Sequence, residues 1–419
     1  MESKRAPTKP LPRLRQFDLN FGNAVTIEPQ EPGYSSVATR ALQVVPKSAC
    51  TLSVVSDFDK LAIMHPDWDS FVDSFAPSPC FLMGFLRFYF CLGGKGIHRF
   101  AVIMSEGDRL VGLATFQTRD TPIFRKPKLF MFRNVKFLLP DYWTPDFAVQ
   151  PEHREEFIEG VLNLLFDKLG CQSASLTLPS ESPNALVLRK WCEERGIAVQ
   201  RRLSDDCPQH AVLRVRGTWE EYLASRGRSY LQSYKRSKRS LARAGKWSVI
   251  SGRVESQAVV DKILEVDRNS WKQELRRRRG AEDDGLLVEV LDYYCHSPGS
   301  RFCPLFWLLE LDSRPIAFLL ATIIGRVAYM FKASYDMRYG HFSPGKVLAM
   351  NAFHALFEAK SASRMDFFTL YDYMRPWTSE MPSRETFIIE NNRGPFGLFI
   401  RLKRSDYAAK VWHALKKVE

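Results

Sequence analysis

The sequence contains no apolar run of the roughly 18 residues that a membrane-spanning helix needs. Its nearest approach, from Phe81 to Gly94, is interrupted by Arg87 and reads as a buried helix. The eight cysteines (Cys50, Cys80, Cys91, Cys171, Cys192, Cys207, Cys295, Cys303) form no CxxC pair and no Cys/His cluster at metal spacing. Reduced thiols and no structural zinc are therefore expected. The serine-elbow pattern GxSxG, the zinc-protease pattern HExxH, the Walker phosphate loop and the dinucleotide fingerprint are missing, so hydrolase, zinc-protease, NTPase and Rossmann readings lack support. No apolar segment follows the basic, proline-bearing start MESKRAPTKPLPRLRQ, so a cytoplasmic location without a secretory signal is expected. Acidic residues are absent from Arg226 to Lys246.

What is present suffices for two cores: 419 residues, 45% of them hydrophobic. Sixty Lys and Arg stand against 47 Asp and Glu, a net charge of +13. That balance favours polyanionic partners, whether RNA, the anionic face of a membrane or phosphorylated small molecules, and charge alone does not choose among them. The acid-free stretch 226–246 carries Tyr230 and Tyr234 at i, i+4 amid Lys235, Arg236, Lys238, Arg239 and Arg243. Contact with tRNA, contact with anionic headgroups and a solvated charged face are its three readings.

Residues 1–48, rich in Pro, Ser, Gly and charge, read as a disordered tail. Alternation in TLSVVSD predicts a strand, and the spacing of Leu61, Trp68, Phe71 and Phe75 predicts a helix after it. A helix FLMGFLRFYFCL, a hairpin across Glu106-Gly107-Asp108, a strand around LFMFRNVKFLL, a helix ended by Gly170, a strand SASLTLP and a helix ended by Gly196 follow. From residue 209 the same grammar recurs: a strand HAVLRVRG, a helix capped by Thr218 with Glu221 in the capping box, the long basic helix, a strand WSVISGRV and two further helices. Three strands, LFWLLELD, RPIAFLLATIIG and RVAYMFKASYD, then form a meander; a helix opens at Ser343-Pro344-Gly345, a strand RMDFFTLYD follows, and RLKRSDYAAKVWHALKKV ends the chain as a basic helix. The expected organisation is α+β, with the tail 1–48, an N-terminal domain 49–208 and a C-terminal domain 209–419.

A meander whose third strand feeds a helix N-terminus, with another strand after it, is similar to the acyl-CoA-binding core of the GNAT acyltransferases. Glu265 with Ser270-Trp271-Lys272, the Tyr335-Asp336 pair, Ser343-Pro344-Gly345 with Leu348 inside the helix, and Asp366-Phe367 resemble the BioF-like, CelD-type branch, which is related to the FemAB transferases. The resemblance implies tandem GNAT-like domains with mixed, mostly antiparallel sheets and flanking helices, an acyl-CoA donor (acetyl or longer) and no metal. It implies transfer of an acyl group to an amine or hydroxyl of a sugar, amino acid, or envelope or exopolysaccharide precursor, with a peripheral place at the inner face of the membrane open to it. The alternatives are a FemAB-like, tRNA-dependent aminoacyl transferase and a catalytically degenerate binding or scaffold subunit. Two departures from the family pattern stand out. Phe342 and Pro344 lie near the glycine positions of the pyrophosphate loop, and Leu370, Met374 and Arg375 replace the glycine, tyrosine and lysine that close the branch's next-strand motif.

Each expected site residue has a physical role. Ser343, Gly345 and Lys346 suit a phosphate seat: a cap, close approach to free backbone N–H groups, and a formal charge beside the helix dipole. Acyl transfer from a thioester to an amine needs a neutral amine, a polarised carbonyl and a protonated thiolate. Asp336 or Asp366 is the expected base, Tyr335 the acid for the sulfur and Lys332 the oxyanion partner. Trp271 and Lys272, with Asp372, Tyr373, Arg375 and Trp377, are the expected acceptor rim.

Overall fold

The computed structural model describes residues 50–76, 78–91, 96–124, 129–197, 199–204, 208–273, 285–297, 300–378 and 380–390. The expected tail 1–48, the RRRR run at 276–279 and the expected C-terminal basic helix lie outside the described residues. All of the described residues belong to one compact unit within Ala38–Glu419.

Along the chain come β1 (Cys50–Val55), α1 (Phe58–Met64), α2 (Trp68–Phe75), α3 (Met83–Cys91), β2 (Ile97–Glu106), β3 (Arg109–Phe124), β4 (Leu129–Phe137), β5 (Ala148–Val149), α4 (Arg154–Asn163), β6 (Ser173–Pro179), α5 (Pro183–Glu194) and β7 (Val199–Leu203). Then follow β8 (Val212–Arg214), α6 (Trp219–Ala224), α7 (Arg228–Ala244), β9 (Trp247–Arg253), α8 (Gln257–Arg268), α9 (Leu286–Cys295), β10 (Leu305–Leu311), β11 (Arg314–Ile324), β12 (Val327–Tyr335), α10 (Pro344–Ala359), β13 (Arg364–Asp366) and β14 (Arg384–Glu390).

Local chemistry accounts for most of these boundaries. The helix expected over the Leu61 to Phe75 pattern is two helices, because Pro66 has no N–H to give and the chain breaks at His65-Pro66-Asp67. Thr218 Oγ1 accepts from the Glu221 N–H at 3.2 Å while Glu221 Oε2 accepts from the Thr218 N–H at 3.0 Å, the reciprocal cap that starts α6. The meander turns at Asp312-Ser313 and Gly325-Arg326 place both residues of each pair at positive φ, the geometry that matches strand twist in two-residue hairpins.

The strands form two sheets. The first runs β1-β2-β3-β4-β6-β14-β7, with β5 on β3, and the second runs β8-β13-β12-β11-β10-β9. Pairing is antiparallel except for β4 with β6 and β12 with β13. This is the expected α+β, GNAT-like architecture of two mostly antiparallel sheets with flanking helices. One strand breaks the chain order. β14, which the sequence reading omits, inserts between β6 and β7 of the first sheet, although it follows every strand of the second. There Phe387 and Ile389 enter the core that the first sheet shares with α4 and α5. A second core mixes both halves: Trp68, Phe81 and Phe85 pack with Ile263, Leu291, Phe306 and Phe318. A third lies under α10 on the other face of the second sheet.

No helix among the described residues is long and apolar enough to cross a membrane.

Because β14 supplies core to a sheet made otherwise from residues before 204, Phe387→Ala, at a fully buried position, should cost about 3–5 kcal/mol. A urea-unfolding midpoint unchanged from wild type would show that this strand adds nothing to the first sheet.

Candidate active site

The site is built where β12 parts from its neighbour. Along one edge β12 pairs with β11 over its whole length, with Phe331 bulged out opposite Leu320 and Ala321. Along the other edge it pairs with β13 only from Val327 to Tyr329. Beyond Asp366 the chain parts from β12 while staying bonded to the segment before β8: the Phe367 N–H donates to Ala211 O, the Ala211 N–H donates to Thr369 O, and Phe368 adopts φ +57°. The edge of β12 from Met330 to Tyr335 is therefore not laddered by β13, which leaves room for an extended ligand to hydrogen-bond there.

At the mouth of this gap stands the start of α10. Ser343 has φ +52° and its side chain makes no cap hydrogen bond, which corrects the expected side-chain cap: a left-handed backbone aims the hydroxyl away from the helix N–H groups. Pro344 takes the first helical position. A Cβ placed on Gly345 would lie 3.6 Å from Tyr335 Cδ1, ordinary contact, so glycine here leaves open space rather than relieving a clash. Lys346 Nζ donates to Ser233 Oγ of α7 at 2.7 Å. Burial first, and then the neighbouring Arg236, lowers the Lys346 ammonium below its usual range. A helix N-terminus, Lys346 and Arg236 thus share one corner, an arrangement whose electrostatics favour an anion.

The long basic helix α7 forms that corner because it is amphipathic. Tyr230 and Tyr234 pack on the core under α10, Ser237 and Leu241 are buried, and Lys235, Arg236, Arg239 and Arg243 are exposed. Lys238 lies over the rings of Tyr234 and Trp247, 5.7 and 5.6 Å from their centroids.

Of the expected catalytic residues, the structure brings only Tyr335 to this corner. It packs on the α10 face, and its charge would help raise the phenol of Tyr373, which burial already pushes up. Lys332 lies three residues earlier and so on the opposite face of the sheet. Its Nζ is 3.8 Å from Asp267 Oδ1 of α8, in the largely buried layer there. Asp336 is buried, caps the turn Met337–Phe342 through the Arg338 N–H at 2.9 Å, and is clasped by the Arg338 side chain. Asp366 is buried too: it accepts from the Phe368 N–H at 2.8 Å and sits 3.1 Å from His210 Nε2. Burial pushes its carboxyl up, but His210, the Phe368 N–H and Arg384 outweigh that and hold it below the usual carboxylate range. Both carboxylates are thus buried and hydrogen-bonded within the fold, away from the corner where Tyr335 stands.

The expected acceptor rim divides likewise. Trp271 is partly exposed, and Lys272 Nζ donates to Ala333 O at 2.9 Å, tying residues 271–273 to the end of β12. Asp372 is fully exposed beside Arg375, and Tyr373 stacks on Tyr371 with centroids 5.6 Å apart. Trp377 is not on a rim: it is buried against Phe353 and Phe367. The sequence reading missed Ser233, Tyr371 and His210. For Ser233 the signal was there, since 230, 233, 234, 237 and 241 share one helix face.

Residues 228–375 match the family model described as acetyltransferase (GNAT) domain. Among solved structures, the chain is similar to FemX (TM-score 0.50, 11% identity, 77% of this chain and 95% of that one). It is also similar to a conserved protein of unknown function from Bacteroides thetaiotaomicron VPI-5482 (TM-score 0.50, 9% identity, 78% and 97%). No curated protein matches the sequence. The fold is GNAT-like.

The role of Asp366 has a pH signature. Its folded pKa lies below the unfolded value of about 3.9, so its contribution is present above pH ~4 and is lost as pH falls through the folded pKa. Asp366→Ala should cost about 3–5 kcal/mol at pH 7, with the gap to wild type closing in acid. A gap that stays constant from pH 7 to pH 3 would exclude the buried ion pair as its source.

Proposed function

We propose that this chain is a GNAT-type acyltransferase that takes an acyl-CoA donor. The phosphates of the donor sit at the start of α10 between Lys346 and Arg236. Its pantetheine arm runs along the edge of β12 that β13 does not ladder, where Lys272 Nζ meets Ala333 O, and its thioester comes to rest by Tyr335. The observation that carries this reading is the coincidence of the strand gap with a cationic helix start, inside the segment that matches the acetyltransferase (GNAT) domain.

The acceptor, an amine or hydroxyl of a sugar, amino acid, or envelope or exopolysaccharide precursor as in the CelD-type reading, enters past Tyr371, Tyr373 and Asp372. Its nitrogen or oxygen attacks the thioester carbon, the C–S bond breaks, and the acceptor proton leaves to solvent. Tyr335 hands its proton to the departing thiolate and is reprotonated from water. With no unpaired carboxylate assigned to this corner, the scheme uses an acceptor that arrives neutral, so turnover should rise with pH toward the pKa of an amine acceptor.

Isothermal titration with acetyl-CoA and a long-chain acyl-CoA tests the seat. Wild type and Gly345→Ala should bind, since the structure has room for a methyl group there, whereas Gly345→Glu should lose binding through charge. Tyr335→Phe should lower kcat about 100-fold with little change in donor KM. Wild type that binds neither donor would remove the reading.

The exposed basic face of α7 supports a second reading, transfer from an aminoacyl-tRNA, with a similar surface open to anionic membrane. In that case Arg239→Glu/Arg243→Glu should weaken tRNA binding and flatten its salt dependence. Filter binding at two salt concentrations that shows no difference from wild type would discard it.

A further inference from the structure

Away from the acyl site, three potential metal-ligating side chains from distant parts of the sequence converge on the first sheet. Cys50 opens β1 and is buried. His153 directly precedes α4, and Glu156 lies in the first turn of that helix; both are half-buried. One ligand atom from each of the three falls within 4.8 Å of the others, and Cys50 Sγ is 3.7 Å from His153 Nδ1. That separation is the length of a thiol–imidazole hydrogen bond, and it is also the spacing two ligands of one ion would take. Metal–sulfur and metal–nitrogen bonds of about 2.3 and 2.05 Å, set at a tetrahedral angle, place the two ligand atoms about 3.6 Å apart.

From this geometry we propose that Cys50, His153 and Glu156 form a binding site for a divalent cation of the zinc class. A thiolate with an imidazole selects a borderline-soft ion over magnesium or calcium, which take oxygen ligands. On binding, the Cys50 thiol releases its proton, a metal–sulfur bond replaces the S–H bond, and His153 gives the lone pair of Nδ1. Three protein ligands leave a fourth position for water or a further ligand.

The position of the site suggests a purpose. β1 is the terminal strand of the first sheet in the observed order, and among the described strands only β2 pairs with it. An ion joining its first residue to α4 ties that edge to the layer above. The ring of His153 is not used to cap α4, although His153 occupies the cap position. A helix start repels a cation, but the thiolate and the Glu156 carboxylate set two negative charges against that partial positive one. Cys50 and His153 are 103 residues apart, so no spacing motif exists in the sequence to announce the site.

Cobalt(II) alone, titrated into the full chain, tests the proposal. The expected result is one equivalent bound, with a thiolate-to-cobalt charge-transfer band that zinc abolishes by displacement. Cys50→Ser should lose the band, His153→Gln should weaken binding at least tenfold, and Cys91→Ser, which removes an exposed thiol, should change nothing. Circular dichroism establishes that each variant is folded. Zinc should raise the Tm of wild type and leave that of Cys50→Ser unmoved. A wild-type protein without the band, or a band that survives in folded Cys50→Ser, overturns the assignment.

Discussion

A buried arginine marks where the strands of the second sheet stop. Arg384 is fully buried, and its guanidinium donates to Thr144 Oγ1, to Tyr142 O and to Phe368 O. A charge so far from water is tolerable only with acceptors and a counter-charge. Asp366, held ionised by His210 and the Phe368 N–H as well as by Arg384, supplies the counter-charge. The same Asp366-to-Phe368 hydrogen bond lies where the chain parts from β12 after three residues of β13. The open edge of β12 thus begins beside the group of bonds that satisfies Arg384. It also ties the first sheet to the second, because Arg384 begins β14 while Phe368 follows β13.

This ordering recasts the Asp366-Phe367 pair. Read from sequence, an aspartate ending a strand beside a conjectured thioester suggests a base. In the fold, its oxygens are committed to a histidine and a backbone N–H. The case of Lys332 is similar but simpler. Neighbours in sequence alternate across a strand, so Lys332 and Tyr335 cannot serve one side of the sheet together.

Most of the architecture was legible. The meander, the hairpin across Gly107, the capping box at Thr218 and the helix at Pro344 all declare themselves through periodicity and turn chemistry, which are local. What was not legible is non-local. β14 is seven residues long and reads as a strand only once β6 and β7 flank it. Arg384 looks like a surface arginine until Thr144, 240 residues away, accepts from it. Within the site, the helix start at Gly345 and Lys346 was visible because it is written in consecutive residues. The state of each carboxylate was hidden because pairing partners are written elsewhere.

The remaining puzzle is why α7 carries so much uncompensated charge above the start of α10. Its apolar face accounts for its packing, and any polar residue would serve on the other. Placing Arg236 near Lys346, beside the positive end of a helix dipole, raises the energy of the fold by roughly a few tenths of a kcal/mol per like-charge contact; burial first, and Arg236 after it, lower the Lys346 ammonium. Local choices that oppose stability concentrate where function needs them. A polyanionic ligand reverses the sign of each of these terms at once, turning mutual repulsion into shared attraction. The cost of such a corner is therefore smallest when an anion stands beside it.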